Sequence, residues 1–322
     1  MGCKTVLLNR SEVMRLLDAS ALVEMLADAF RAHSAEGNDP GHRFPASLPG
    51  PGDMVVLAPG LTRDIPAYTV KVHAKFPDSN PSIRGVLHLH DLENGDLLAV
   101  MDSSYLTAVR TSLTAALATD LLARSQADKV AVIGAGVQGW YQLRYLLQMR
   151  RLKEIYVFDI IKSRAEKFVE LLQQRSDLTA RACSALTDAL AACDIVLCST
   201  WAREPFLSRD LILPGTHITT LGADQPGKAE VDRTVLKKAQ VFCDDRKLAV
   251  EMGLVGNVGL GPKTITAELG EVLAGTHKGR SSDRQVTVYG AVGLPFQDLI
   301  AAWQVYREAR RKGVGRTFDF LT

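Results

Sequence analysis

The sequence predicts an α/β protein built on a doubly wound parallel sheet, with a smaller α/β region ahead of that sheet and a helix after it. Three observations carry this. From about Thr107 onward, short apolar strands alternate with helical stretches, whereas residues 40 to about 105 are rich in Pro and Gly and hold β-type runs. The glycine pattern Gly134-x-Gly136-x-x-Gly139 falls between a strand and a helix. And 322 residues, 47% of them apolar, are enough for two cores at roughly 100–200 residues per domain.

The elements follow in order. Thr5-Val-Leu-Leu8 reads as a strand, and Ser11 to Leu17 and Ala21 to His33 carry helical apolar spacing. The runs Met54–Leu57, Ala67–His73, Gly85–His90 and Leu97–Met101 are strand-like. Glu93-Asn-Gly-Asp96 holds the Asn-Gly pair favoured in tight hairpins, so the last two runs should pair antiparallel. Thr111–Arg124 is an Ala/Leu-rich helix. Strands are then expected at Lys129–Ile133, Glu154–Phe158, Asp194–Cys198, His217–Leu221, Gln240–Cys243 and Gln285–Tyr289, with helices such as Gln138–Arg150 and Ser163–Arg175 between them. Such alternation argues for right-handed crossovers and a parallel sheet. A helix from about Leu294 to Lys312 closes the chain, its basic end suiting the helix dipole.

Composition excludes several functions. Lys plus Arg is 38 and Asp plus Glu 36, a net charge of +2, so no bulk field draws the chain to nucleic acid or anionic lipid. No apolar run reaches the ~18–20 residues of a membrane span. The opening residues break their apolar stretch too early for a signal peptide. The five cysteines, Cys3, Cys183, Cys193, Cys198 and Cys243, are odd in number and scattered, which argues for reduced thiols and a cytoplasmic location. His88 and His90 share a strand face but lack a third ligand, so no metal site is expected.

The glycine pattern carries the cofactor. It follows the strand Val130-Ala-Val-Ile133 and opens a helix, and the next strand ends at Asp159, 20 residues after Gly139. That is the context of a dinucleotide fingerprint. Gly134 permits the tight turn, Gly136 lets backbone approach a pyrophosphate, and the helix N-terminus offers N–H groups to phosphate. Asp159 would accept from the ribose hydroxyls and repel a 2′-phosphate, which favours NAD over NADP, although Lys162 and Arg164 lie close by.

With the fingerprint in place, the chain resembles the ornithine cyclodeaminase/μ-crystallin family over nearly its whole length. The resemblance rests on Lys71 in Tyr68-Thr-Val-Lys-Val-His73, Leu98-Ala-Val-Met-Asp102, Thr107-Ala-Val-Arg-Thr111 and Gly134-Ala-Gly-Val-Gln138. It continues through Gly222-Ala-Asp-Gln-Pro-Gly-Lys-Ala-Glu-Val-Asp232, Glu268–Leu273 and Gly279–Val288. It implies a homodimer with a substrate-binding and dimerisation domain over residues 1–113, an NAD-binding Rossmann domain over 114–298, and a helix over 299–322 returning to the first domain. It also implies an enzyme that passes a hydride between nicotinamide and the α-carbon of an L-amino acid or its imine.

Residue by residue, the resemblance implies that Lys71 meets the substrate carboxylate or transfers a proton. Arg110, placed just ahead of the Ala/Leu-rich helix, serves as an anion clamp on substrate or cofactor, and Arg43 as a carboxylate ligand. Asp224 is the general base or acid at the α-amino group, a task that suits a carboxylate whose pKa partial burial raises toward neutral. Gly293 faces substrate, and Val137, Gln138, Thr200 and Gly222 face cofactor. A strand-borne Lys71 among apolar neighbours would be costly to bury without a partner, so it is expected to open onto a ligand.

Three outcomes share this chemistry: amino-acid dehydrogenase, ketimine or imine reductase, and cyclodeaminase acting on ornithine or lysine. A non-catalytic dinucleotide-binding protein of the crystallin type and an opine-type condensing enzyme are further alternatives. Val56 stands where the cyclodeaminase branch carries an acid for the side-chain amine, which argues against ornithine. Gly85 stands where relatives often show Thr, and Gly290-Ala291 replaces a common Asp-Ser pair.

Overall fold

In the computed structural model, which describes residues 4–36, 41–79, 81–174 and 178–320, the chain forms two compact units. The first is Met1–Ala29, Asp39–Arg110 and Leu294–Thr322; the second is Phe30–Asn38 and Thr111–Gly293. The divisions expected at 113/114 and 298/299 therefore fall at Arg110/Thr111 and Gly293/Leu294. The second shift has a packing cause, because the helix Pro295–Lys312 lies on strands of the first unit from its first turn.

The first unit is organised by a seven-stranded sheet. Its strands are β1 (Thr5–Leu8), β2 (Phe44–Ser47), β3 (Met54–Gly60), β4 (Ala67–Lys75), β5 (Ile83–Asp91) and β6 (Leu97–Asp102). In space the order is Arg316–Phe318, β1, β6, β5, β4, β3, β2. β2 through β6 form an antiparallel meander, and β5 and β6 pair across the Asn94-Gly95 turn, where Gly95 takes φ +79°. β4 alternates strictly between buried and half-buried residues. Its buried face carries Thr69, Lys71, His73 and Lys75, so this strand turns polar side chains inward.

The second unit is a parallel sheet of eight strands: β7 (Lys129–Ile133), β8 (Glu154–Phe158), β9 (Thr179–Ala182), β10 (Ile195–Cys198), β11 (His217–Thr220), β12 (Gln240–Cys243), β13 (Ile265–Glu268) and β14 (Thr287–Gly290). The order is β13-β12-β14-β11-β10-β7-β8-β9. Ile133, Val196, Ile218, Val241 and Val288 are fully buried along it, as expected of strands covered on both faces. The strand order reverses between β7 and β10, and the carboxyl ends of strands at such a switch point are where open α/β sheets bind ligands.

Two expectations are corrected here. The helix expected from Thr111 begins at Ser103, capped where Asp102 Oδ1 accepts from the Tyr105 N–H at 2.9 Å. Arg110 accordingly lies inside the helix Ser103–Leu122 and not ahead of it. Cys183, Cys193, Cys198 and Cys243 are free and buried, while Cys3 and Arg175 lie outside the described residues. Among the described residues no helix is long and apolar enough to cross a membrane.

Candidate active site

The first unit gathers a buried ionic cluster on the inner face of its sheet. Lys71 Nζ donates to Asp298 Oδ2. Arg110 Nε donates to Asp298 Oδ1 at 3.0 Å, and its terminal nitrogens donate to Asp298 Oδ2 at 3.5 Å and to Gln297 Oε1 at 2.5 Å. Gln297 and Asp298 sit in the first turn of the helix Pro295–Lys312, where the dipole favours a carboxylate. Gln297 Oε1 also accepts from the Leu294 N–H at 3.2 Å. Lys71 is thus buried and held by Asp298, a correction to the expectation that it opens directly onto a ligand.

Burial sets the protonation of this cluster. Desolvation pulls the Lys71 ammonium down to about 7, assisted by the Arg110 and Arg43 charges and opposed by Asp298. Burial pushes the Asp298 carboxyl up, but Arg110 and Lys71 outweigh it and hold the group at about 2. Next along β4, His73 Nε2 lies 2.7 Å from Ser103 Oγ, and burial followed by the Lys71 charge keeps its pKa well below the usual histidine range. Arg43 is close enough for its charge to act on Lys71. Two cations thus share the Asp298 carboxylate and a third lies close by, the kind of side-chain set that recognises a carboxylate.

The register gives the apolar surroundings. Ala58 of β3 is opposite Lys71, Val56 is opposite His73, and Leu87 of β5 flanks Lys71 on the other side. Gly85 is opposite His73, and a Cβ on it would lie 2.0 Å from the Val72 carbonyl oxygen and 2.5 Å from the His73 ring. A threonine at this position has no room against the Val72 carbonyl and the His73 ring. Gly290 behaves likewise, since a Cβ there would fall 2.7 Å from the Leu254 side chain.

In the second unit each fingerprint glycine has a separate physical reason. Gly134 takes φ +97°, and a Cβ on it would lie 2.6 Å from the Ser199 carbonyl oxygen. A Cβ on Gly139 would lie 2.3 Å from the Gly134 oxygen. Around Gly136, by contrast, nothing lies within 4 Å of a Cβ position. Gly136 is the N-cap of the helix Val137–Met149, so the first-turn N–H groups open onto this space. Val137 is exposed, and Gln138 Oε1 accepts from Ser112 Oγ at 2.8 Å.

Asp159, just beyond β8, accepts from the Ala135 N–H at 2.9 Å on one oxygen and from the Ile161 N–H at 2.9 Å on the other. It ties the glycine loop to its own strand, and each oxygen retains a second lone pair. The buried Ser199 hydroxyl beside Gly134 has no hydrogen-bond partner among the described residues. Open space at Gly136, an unmatched buried hydroxyl and a placed acidic residue together fit a dinucleotide.

The loops after β10 and β11 carry the remaining expected residues. Asp224 is about a quarter exposed and paired at 3.0 Å with Lys228, whose ammonium lies 4.6 Å from the centre of the Trp201 ring. Asn257 Nδ2 donates to the Gln225 and Lys228 carbonyls at 2.9 and 2.8 Å, which fixes this turn. Thr200 and Gly222 both donate to the buried Glu230 carboxylate. Gly293 takes φ +91°, and its N–H donates to Asp244 at 2.6 Å. Burial raises that aspartate to about 6 against the pull of the Gly293 and Val292 N–H groups.

Sequence reasoning missed Asp298, Gln297, Ser103, Lys228, Glu230 and Asp244. Only Lys228 and Glu230 carried a signal, as charged residues in the segment Gly222–Asp232. His88 and His90 do share a face, but His90 stacks on Tyr68 with centroids 4.9 Å apart, and no group of three metal-ligating side chains occurs among the described residues.

With this geometry in place, comparison with known proteins is decisive. The sequence profile of the Ornithine cyclodeaminase/mu-crystallin family matches residues 3–313. The chain belongs to that family. It is 32% identical to the alanine dehydrogenase of Archaeoglobus fulgidus over 99% of both chains, and 32% identical to the mouse ketimine reductase mu-crystallin over 93% of this chain and 96% of that one. Among solved structures, an archaeal alanine dehydrogenase dimer with bound NAD matches with a TM-score of 0.91 and 30% identity, covering 99% of this chain and 100% of the other. The Δ1-pyrroline-2-carboxylate reductase of Thermococcus litoralis, with NADH and L-proline, matches at 0.90 and 28% identity over 97% and 99%. With the family come the NAD cofactor and the oxidoreductase class expected from the sequence.

Proposed function

We propose that this chain is an NAD-dependent amino-acid dehydrogenase or imine reductase whose substrate has a carboxylate and a neutral side chain. The observation that carries the reading is the buried cluster of Lys71 and Arg110 on Asp298, with the half-buried Arg43 near enough for its charge to act on Lys71, walled by Val56, Ala58 and Leu87. A substrate carboxylate is the anion such a group of cations recognises. A side-chain ammonium, as in ornithine or lysine, finds Val56 opposite His73 and no acid on the inward positions of β3, which disfavours cyclodeamination.

When bound, the nicotinamide cofactor would supply the hydride acceptor, or in its reduced form the hydride donor, for the substrate α-carbon. The residues do the rest. Arg43, Arg110 and Lys71 orient the carboxylate, and Lys71, with a pKa near neutrality, can also give or take a proton at its Nζ. Asp224, steadied by Lys228, exchanges the proton of the substrate nitrogen at its carboxylate oxygens. Gly134, Gly136, Val137, Gln138 and Asp159 hold the adenosine and phosphate portion, and Thr200 and Gly222 the remainder. Asp224→Asn should leave NADH affinity within a few-fold while lowering turnover by about 10²–10⁴-fold. Equal loss of both would displace Asp224 from the chemistry.

The same reading makes the chain a homodimer. Phe44, Leu57, Val72 and Val86 follow one another across β2, β3, β4 and β5, and three of the four are exposed. An apolar row across four strands is the kind of surface a second copy covers. A cytoplasmic location accords with the four free, buried thiols.

A further inference from the structure

We propose that Glu230 is a positioning residue that clamps the loops after β10 and β11 and so forms the nicotinamide half of the cofactor site. The proposal rests on the reading of Thr200 and Gly222 as cofactor contacts. Glu230 is fully buried, and its two oxygens accept four hydrogen bonds. Oε1 takes the Thr200 N–H at 2.5 Å and the Thr200 hydroxyl at 2.7 Å; Oε2 takes the Gly222 N–H at 2.8 Å and the Thr220 hydroxyl. Every acceptor position of the carboxylate is filled.

The clamp is itself anchored. The Phe206 and Leu207 N–H groups donate to the Glu230 carbonyl at 3.1 and 2.9 Å, and Leu207 bridges to Val231. The fit is also exclusive, because a Cβ on Gly222 would lie 2.3 Å from the carboxylate. One rigid side chain thus sets the separation of two strand ends on the cofactor-binding edge of the sheet, two residues before Asp224. The glycine loop after β7 makes none of these four bonds; it meets this region only by packing, where Gly134 lies against the Ser199 carbonyl and the Thr200 methyl.

Glutamine cannot replace this residue. Each oxygen receives one backbone N–H, so whichever end the amide nitrogen takes, a backbone donor faces another donor. The test is titration of the full-length chain with NADH and separately with ADP-ribose, which lacks the nicotinamide. In Glu230→Gln the NADH dissociation constant should rise about tenfold or more, while that for ADP-ribose stays within about twofold. Thr220→Val, which keeps the side-chain volume and removes one hydroxyl donor, should weaken NADH by a few-fold with ADP-ribose again unchanged, and serves if Glu230→Gln does not fold. Unchanged NADH binding, or equal loss of both ligands, would overturn the clamp. A wild-type chain that binds ADP-ribose and NADH equally well would also overturn it, by removing any nicotinamide contribution. A wild-type chain that binds neither would instead overturn the dinucleotide reading on which the proposal stands.

Discussion

Lys71 and Asp298 are separated by 227 positions in sequence and share a hydrogen bond in the core of one unit. Breaking such a pair from one side strands a charge at a cost of about 3–5 kcal/mol. The cluster also sets a pH dependence. Lys71 is an ammonium below about pH 7 and a neutral amine above it, because burial outweighs the help of Asp298. The pH profile of kcat/KM should therefore inflect near 7 in the wild type and lose that inflection in Lys71→Met. Asp298 raises the Lys71 pKa, so Asp298→Asn should move the inflection downward, by on the order of 1 unit. An upward move would show that the two groups are not coupled as described. At Gly85 the constraint is steric and comes from backbone: Gly85→Thr should cost about 3 kcal/mol or more, read as a lower denaturant midpoint.

The glycine turn and the first turn of the helix after it separate folding from binding. Gly136 has an ordinary φ of −91° and open space where a side chain would go. Gly136→Val should leave the stability of the unliganded chain within about 0.5 kcal/mol and weaken NADH at least tenfold, since the side chain enters the phosphate space. Gly134→Ala should damage both, because its φ is positive and the Ser199 carbonyl blocks a Cβ. Equal stability loss in the two variants would contradict the division of roles. This loop was readable from sequence because its strand, glycines and acid are all local. The four strands that escaped sequence reading, β2, β9, β13 and Arg316–Phe318, are the four edges of the two sheets. An edge strand is short and buried on few positions, so it lacks the apolar run by which the inner strands announce themselves. The helix start at Ser103 escaped for a related reason, its first turn being Ser-Ser-Tyr-Leu with no strong helix former until Leu106. Of the site, Lys71, Arg110 and Asp224 were reached through the family resemblance, while Asp298, 227 positions from Lys71, carried no signal. Nothing local tied it to Lys71.

At the scale of the whole molecule, one chain carries a buried cluster of Lys71, Arg110 and Asp298 in its first unit and the glycine turn of a dinucleotide fingerprint in its second. The row Phe44, Leu57, Val72 and Val86 predicts two chains per particle by light scattering, and Val86→Asp should shift the population to single chains at micromolar concentration. A wild-type single chain would contradict the dimer. The central claim is net hydride transfer at the α-carbon of a substrate with a neutral side chain. Its most direct test follows the absorbance of NADH and the release of ammonia together, with purified chain, NAD and a panel of L-amino acids, and with NADH and cyclic imines in the reverse direction. The account predicts NADH formed in step with ammonia from an amino acid with an uncharged side chain, or NADH consumed by a cyclic imine bearing a carboxylate. Ammonia released from ornithine or lysine with no net NADH would contradict it and return the chain to cyclodeamination.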